Sequence, residues 1–557
     1  MKRIIAFILL LCMAFSFASC GGGDGKPTGN GGNNGAVTVK AWAFHSFEKT
    51  VVNVAPKGNF KTDYTVYLAK GETEGCQVAV YSENEIKNVS LVLKSGETEL
   101  IKPAMFSMNK TQKVVKKQYT DALIPYYGRR LNIERRTILP FMIEFTTDEN
   151  TPAGDYEYVY ELVDKEKNVL ATYNITVHVW DFEIPKEKTF ETAVGLQSTF
   201  IHYYKGNPVE WYETLLDHNM SAYEVPYDIL DPRADAYMSD PRVTSFRVPV
   251  PTLEAEDLDG DKYLDTFVID EKKLLEYCKK VKSDPVWLEK AYFYPYDEPH
   301  TKEQLSLLKE IERQLTKLCP EIEIMAPYYT NIQMSENSDQ TDFMETFTDL
   351  WCPKLCLWDD AESYGEFLTY TPSKTFEERM NDQIAKGDRM WCYVCNDPNN
   401  PYAQLFLDTD GAVQRLMFWQ IYQRDIEGFL YWSACWYRNN NPWDEGGSGK
   451  LVCEDPWESA TSITDGDGHP VYGEGWILYP GVQVGYGGAC PSIRAKIVRD
   501  GIDEIEMFYL AEKYLDKEWI VAKTKEGTPT LTEYVSGDKY VALRIEIGNA
   551  LEAAMKK

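Results

Sequence analysis

The spacing of apolar residues changes once along this chain, near residue 185. Between about 37 and 182 they alternate with polar ones in short runs: Tyr64–Ala69, Cys76–Ser82, Val89–Leu93, Thr137–Thr146, Tyr156–Val163 and Tyr173–Val179. Gly, Asn, Asp and Pro punctuate these runs, and helical periods are scarce. Such a rhythm predicts an antiparallel β-sandwich over residues 37–187. From about 188, strand-like and helix-like segments alternate, the signature of a parallel sheet with crossover helices. The strand candidates are Thr192–Thr199, Ala222–Tyr227, Thr244–Val250, Tyr292–Asp297, Glu321–Tyr329, Asp349–Pro353 or Lys354–Trp358, Met390–Cys395 and Gly428–Ser433. Helices are predicted at Val209–Asn219, Glu271–Lys282, Phe376–Lys386 (stopped by Gly387) and Ala412–Arg424, and the chain beyond Pro491 reads as helical. Eight strands with helices outside predict a (β/α)8 TIM-type barrel over residues 188–557, completed by C-terminal helices.

One stretch concentrates chemistry. Ala291–His300, Ala-Tyr-Phe-Tyr-Pro-Tyr-Asp-Glu-Pro-His, is apolar or aromatic for its first six residues and then presents two adjacent carboxylates. An unbroken apolar run reads as a strand buried on both faces. Thr301 to Gln304 has the pattern of a capping box, and Leu305, Leu308, Ile311, Leu315 and Leu318 then recur at helical spacing. Asp297 and Glu298 therefore sit at a strand tip, where barrel enzymes place their reacting groups. Neighbouring residues in a strand point to opposite faces; at the strand end Pro299 is expected to hold Glu298 extended, letting both side chains splay toward the mouth. The bland alternative is a pair that merely favours the dipole of the following helix.

The N-terminus reads as an export signal. Lys2 and Arg3 precede the apolar run Ile4–Phe17, and Phe17-Ala18-Ser19-Cys20 has the form of a lipobox, with Phe where Leu is usual. Residues 1–20 are thus expected to be a lipoprotein signal peptide, with lipidation at Cys20, and the Gly/Asn-rich residues 21–36 a flexible tether. An exported bacterial lipoprotein, in the periplasm or at the outer membrane or cell surface, is the expected location, touching membrane only through its anchor. The formal charge of −29 argues against nucleic acid or an anionic membrane surface as partner. A neutral glycan is compatible with it, and 14 Trp and 37 Tyr suit a ligand with sugar C–H faces, although core packing explains most aromatic residues in any protein. Apart from Cys12 and Cys20 the cysteines are scattered. Cys392 and Cys395 form a C-x-x-C inside a strand-like run, so buried thiols or one disulfide are expected rather than a metal or redox site.

Several ordered motifs resemble glycoside hydrolase family 123 and the wider set sharing its catalytic domain (domain of unknown function 4091). In the front lobe they are Thr151-Pro-Ala-Gly-Asp-Tyr156 and Val179-Trp-Asp-Phe-Glu-Ile-Pro185; in the barrel, Tyr296-Asp-Glu-Pro299, Trp391-Cys-Tyr393 and Gly428-Phe-Leu-Tyr-Trp432. Near the end follow Asp465-Gly-Asp-Gly468, Tyr479-Pro-Gly481 and Ser492-Ile-Arg-Ala-Lys-Ile-Val-Arg-Asp-Gly501. Ile502-Asp-Glu-Ile505 departs from the usual Ile-Glu-Asp-Tyr of that family. The resemblance implies an exo-acting β-N-acetylhexosaminidase, typically for terminal β-linked N-acetylgalactosamine, that retains configuration by substrate assistance and needs no cofactor or metal. It makes Asp297 the acetamide partner and Glu298 the general acid/base.

Further candidates surround that pair. Tyr296, Tyr328 and Tyr329 are placed to bond the acetamide or to pack in the core. Trp358, Trp391 and Trp432 lie near the ends of successive strands, and one of them is expected to stack on the sugar. Asn396 and Asp397 are candidates for binding hydroxyls; Asp465, Asp467 and Tyr479 are expected to wall the pocket. His300 and the acidic turn Asp257–Asp261 are expected to be a surface or supporting histidine and a solvated loop. Two other readings share these residues: a glycosidase pairing Glu298 with Asp359, Asp360 or Asp397, and a glycan-binding lipoprotein without catalysis.

Overall fold

A computed structural model describes residues 38–108, 112–114, 116–258, 264–365, 368–437, 453–465 and 468–557. The signal, Cys20, the tether, the end of the Asp257–Asp261 turn and Asp467 lie outside the described residues. Residues 39–557 form one compact unit. Its front lobe stacks two five-stranded sheets. In one, Val39–His45, Thr73–Ser82, Thr137–Thr146, Lys102–Met108 and Leu123–Pro125 lie side by side; the other runs Asp63–Lys70, Val169–Glu183, Gly154–Val163, Ile86–Ser95 and Leu131–Ile133. Alternate residues such as Val78, Val80, Phe141, Tyr160, Ile175 and Val177 turn inward and fill the space between the sheets. One pairing departs from the antiparallel expectation: Asp63–Lys70 lies parallel to Val169–Glu183. The period-two pattern specifies which face is buried but not the direction of the neighbouring strand.

Behind this lobe, seven parallel strands follow one another around an arc: β1 (Glu191–Val194), β2 (Phe246–Arg247), β3 (Ala291–Phe293), β4 (Glu323–Tyr328), β5 (Leu350–Pro353), β6 (Arg389–Val394) and β7 (Gly428–Tyr431). Strand β1 pairs with β7 at Glu191 and Gly428. The other end approaches closure through residues 221–223. Val194 N–H donates to Ser221 O at 2.9 Å, Tyr223 N–H to Val194 O at 2.9 Å, and Arg247 N–H to Tyr223 O at 2.6 Å. The segment expected as the second barrel strand thus shrinks to a single bridge between Val194 and Ala222. Pro226 cannot donate a ladder bond, which keeps that segment short. Among the described residues the barrel is a nearly closed ring of seven strands rather than a full eight.

Period-two alternation sorts the barrel side chains. Ala193, Tyr292, Met325, Leu350, Cys352, Trp391, Tyr393 and Leu430 fill the interior, and Tyr223, Tyr294, Tyr329 and Cys395 pack on top of them toward the mouth. Phe293, Cys392 and Val394 face outward into the helical layer. Cys392 and Cys395 therefore occupy opposite faces, and both are free thiols. One disulfide does form, Cys278–Cys319. It ties helix Glu271–Val281 to the end of α1 (Lys302–Leu318), whose Thr301–Gln304 capping box is present as predicted. Helices α2 (Gly411–Tyr422), α3 (Ile493–Ala511) and α4 (Gly537–Met555) join barrel to front lobe. Their contacts combine apolar packing, as of Trp180 and Phe47 on α4, with buried ion pairs: Arg415 meets Glu74, Asp500 and Glu504, and Arg494 meets Asp121, both members of the last pair being fully buried.

Candidate functional site

The sequence predicts a strand through Asp297, but β3 stops at Phe293. Pro295 lacks the N–H that would extend the ladder, so residues 294–299 leave the sheet as a loop over the barrel mouth. Glu298 adopts φ +46° instead of the extended conformation expected before Pro299. A left-handed backbone at a residue with a Cβ costs about 1–2 kcal/mol, so surrounding contacts must hold it. The Tyr393 hydroxyl donates to the Glu298 carboxylate. His300 Nδ1 lies 3.0 Å from the Glu298 carbonyl oxygen, and Gln340 Nε2 donates to the Pro299 carbonyl at 3.0 Å. The turn brings the two adjacent side chains to one side, into the same recess.

That recess has a volume of about 580 Å³, and Asp297 and Glu298 are its only carboxylates among the described lining residues. Its aromatic and apolar walls come from Tyr223, Tyr294, Tyr296, Tyr393, Leu430 and Trp432. Asp297 is open to this cavity and accepts a 2.6 Å hydrogen bond from the Tyr294 hydroxyl. Protein surrounds it on its other sides, and this desolvation raises its pKa, opposed by the Tyr294 bond and by the charge of Arg247. Glu298 is pushed up to about 7, first by burial and then by the neighbouring Asp297 charge, while the Tyr393 bond and Lys354 pull it down. Two neighbouring acids resist ionising together, and Glu298 is the member that keeps a proton near neutrality.

Of the other sequence candidates, Tyr296 and Trp432 line the recess. The Trp432 indole donates at 2.6 Å to Glu474, and Gly195 allows the close passage of strand ends beneath it: a Cβ there would lie 1.8 Å from the Trp432 carbonyl oxygen. Tyr329 is beside the rim, its ring 5.8 Å from that of His300. Asp397 is engaged by Lys354. The remaining candidates are elsewhere. Tyr328 is buried in the core against Trp351, and Trp391 is inside the barrel against Tyr292 with its indole donating to Glu191. Neither ring reaches the cavity: Trp391 sits below the top layer of side chains, and Tyr328 is on the outward phase of β4, in the helical layer. Trp358 packs edge-on to Phe376 in a 3-10 turn where a sixth strand was an alternative. Asn396 donates to Thr464 O, and Tyr479 donates at 2.7 Å to Asp121 in the lobe interface. Asp465 accepts from Asn399 and from the backbone of His469. Asp359 and Asp360 cap helical segments, accepting from Ala361 N–H and Phe376 N–H.

Sequence reasoning missed Tyr223, Arg247, Tyr294, Lys354, Tyr393, Cys395 and Glu474. For Tyr294, Lys354, Tyr393 and Cys395 a signal existed: each continues the inward phase of its strand by two residues, past Tyr292, Cys352 and Trp391. For Glu474, in a loop, there was none.

Residues 244–511 match the family model described as Glycoside hydrolase 123, catalytic domain. Among solved structures, a family 123 glycoside hydrolase from Clostridium perfringens, described in terms of glycolipid glycan hydrolysis, aligns over 93% of this chain and 98% of its own, with a TM-score of 0.60 and 13% identity. At that identity the likeness bears on the fold. A β-glucuronidase from Bacteroides uniformis aligns over 80% of this chain and 49% of its own, at 10% identity, but its TM-score of 0.25 is too low to bear on the architecture. No curated protein sequence matches.

Proposed function

Because residues 244–511 carry a glycoside hydrolase family 123 catalytic domain, we propose that this glycoside hydrolase is an exo-acting β-N-acetylhexosaminidase, acting on terminal β-linked N-acetylgalactosamine with retention. The carrying observation is that the only carboxylates among the described lining residues of the recess are sequence neighbours on one loop. Retaining and inverting glycosidases that supply both groups from protein hold them on opposite faces of the sugar, about 5 to 9.5 Å apart. Among the described lining residues no third acid completes such a pair, which favours a substrate that brings its own nucleophile, as a 2-acetamido group does.

In this mechanism Asp297 acts as the anion, a form that Tyr294 and Arg247 favour against burial; it accepts the acetamide N–H and turns the carbonyl oxygen toward the anomeric carbon. The tyrosine-lined wall beside it suits the acetamide methyl. That oxygen forms a bond to C1 as the glycosidic C–O bond breaks, and Glu298 gives its proton to the leaving oxygen. The oxazolinium intermediate is opened by water, whose proton returns to Glu298 as C1–OH forms. A pKa near 7 serves both halves of the cycle. Trp432 is proposed as the ring on which the sugar rests. Export as a lipoprotein remains the proposed location, supported by the Cys278–Cys319 disulfide, a bond that persists in oxidising compartments.

The test is a panel of aryl β-glycosides. N-acetylgalactosaminide is expected to be cleaved, the 2-hydroxy galactoside to be inert, and both Asp297→Asn and Glu298→Gln to reduce turnover by roughly 100-fold or more. Equal cleavage of the 2-hydroxy sugar overturns substrate assistance; glycan binding without release, unchanged in both variants, overturns the enzyme.

A further inference from the structure

The inward-facing phase of β5 is Leu350 and Cys352, and two residues on it meets Lys354, a lysine only 5% exposed. Its ammonium is paired with the Asp397 carboxylate and lies 5.2 Å from the centre of the Tyr329 ring. Lys354 is also the register partner of Tyr393 on the adjacent strand, and Tyr393 is the residue whose hydroxyl reaches Glu298. Burying an ammonium is costly even when it is paired, and an apolar residue would fill such a position at less cost. The charge is better explained by what it faces than by packing.

We infer that Lys354, balanced by Asp397, is a positioning residue that sets the protonation of Glu298 through the shared Tyr393 side of the recess. The inference rests on Glu298 acting as the acid. The groups whose charge or titration is coupled to Glu298 are Asp297 and Tyr294 from its own loop, Cys352 and Lys354 from β5 and its end, and Tyr393, Cys395 and Asp397 from β6 and the loop after it; Tyr393 bonds it directly. Asp297 and Asp397 favour its protonated form; Lys354 and the Tyr393 hydrogen bond favour its anion. Lys354 and Asp397 thus act in opposite directions on one proton, whose affinity burial and Asp297 have already raised. A pair that merely anchors the loop after β6 predicts no such opposition.

The experiment measures the basic limb of the kcat/KM–pH profile with the N-acetylgalactosaminide in wild type, Lys354→Met, Asp397→Asn and the double variant. Lys354→Met is expected to move the limb up by about 1 pH unit and Asp397→Asn down by about 1, with the double variant back near wild type. Rates that fall with the limb unmoved, or both single variants shifting it the same way, overturn the inference. Should Lys354→Met fail to fold, the sign of the Asp397→Asn shift decides alone. The Glu298 titration is also read without turnover, from the infrared carboxyl band that Glu298→Gln removes. A protein that cleaves none of the panel would sink the proposed reaction and still report whether Lys354 and Asp397 shift this proton in opposite directions.

Discussion

The hydroxyl of Tyr294 donates a 2.6 Å hydrogen bond to the carboxylate of Asp297, three residues further along the same loop. Both belong to the tip of β3, so the acid proposed to hold the acetamide is oriented by its own segment. Removing that donor with Tyr294→Phe leaves the ring packed and takes away a bond that favours the anion. Hydrogen bonds to charged groups contribute about 1.5–3 kcal/mol. The expected result is a fall in kcat/KM of roughly 10- to 100-fold. The acid limb should move to higher pH, because Asp297 loses a group that lowers its pKa. An unchanged acid limb in the variant argues against an ionised Asp297.

Glu298 also has a consequence for stability. Its pKa is raised to about 7 in the folded protein, above the ordinary 4.5, so the folded state binds this proton more tightly than the unfolded one. Below about pH 4.5 both states carry it and no penalty exists; the penalty grows as pH rises to about 7 and is constant beyond. Glu298→Gln removes it. The variant is expected to be more stable than wild type by about 2 kcal/mol at pH 8, a value discounted for the open mouth of the recess, and equal to it at pH 4. Denaturant unfolding at the two pH values checks this.

Asp121 of the front lobe accepts from Arg494 at 2.8 Å and from Tyr479 at 2.7 Å, with no solvent access. Its replacement by Asn leaves a buried guanidinium without its counter-charge. A loss of about 3–5 kcal/mol is expected, read as a lower midpoint of unfolding. The double variant Asp121→Leu with Arg494→Met should recover part of it, since no uncompensated charge then remains.

Cys278 and Cys319 are 41 residues apart. A cross-link closing a loop of that length restricts the unfolded chain by about 3–4 kcal/mol. Replacing both cysteines by Ser should lower stability by up to that amount while kcat and KM stay within about twofold, because neither residue lines the recess.

Much of the catalytic lobe was legible because its signals are local. The Thr301 capping box, the Gly387 stop and helix Phe376–Lys386 follow from nearest-neighbour chemistry and appear where the pattern puts them. The adjacent acids were legible for the same reason: they interrupt an apolar run at its end. Trp391 and Tyr328 show where such reading stops. Both belong to strands ending at the mouth, yet Trp391 is too deep in the barrel and Tyr328 faces outward to the helices, so depth and phase together decide which ring meets the cavity. Trp432, in contrast, emerges one residue beyond β7 and does line it. The parallel pairing of Asp63–Lys70 was illegible because alternation carries no direction.

By itself, the order of residues determined most of the strand–helix order of the barrel and the place where two carboxylates stand together, since both depend on spacings of a few residues. The tertiary structure alone decided that Glu298 turns left-handed, that Tyr393 and Tyr294 become the donors to the acids, and that Lys354 and Asp397 face each other. Lys354, Asp397 and Tyr393 lie on strands or loops remote from Glu298 in sequence. Their meeting is fixed by the closure and stagger of the barrel, which no local pattern encodes.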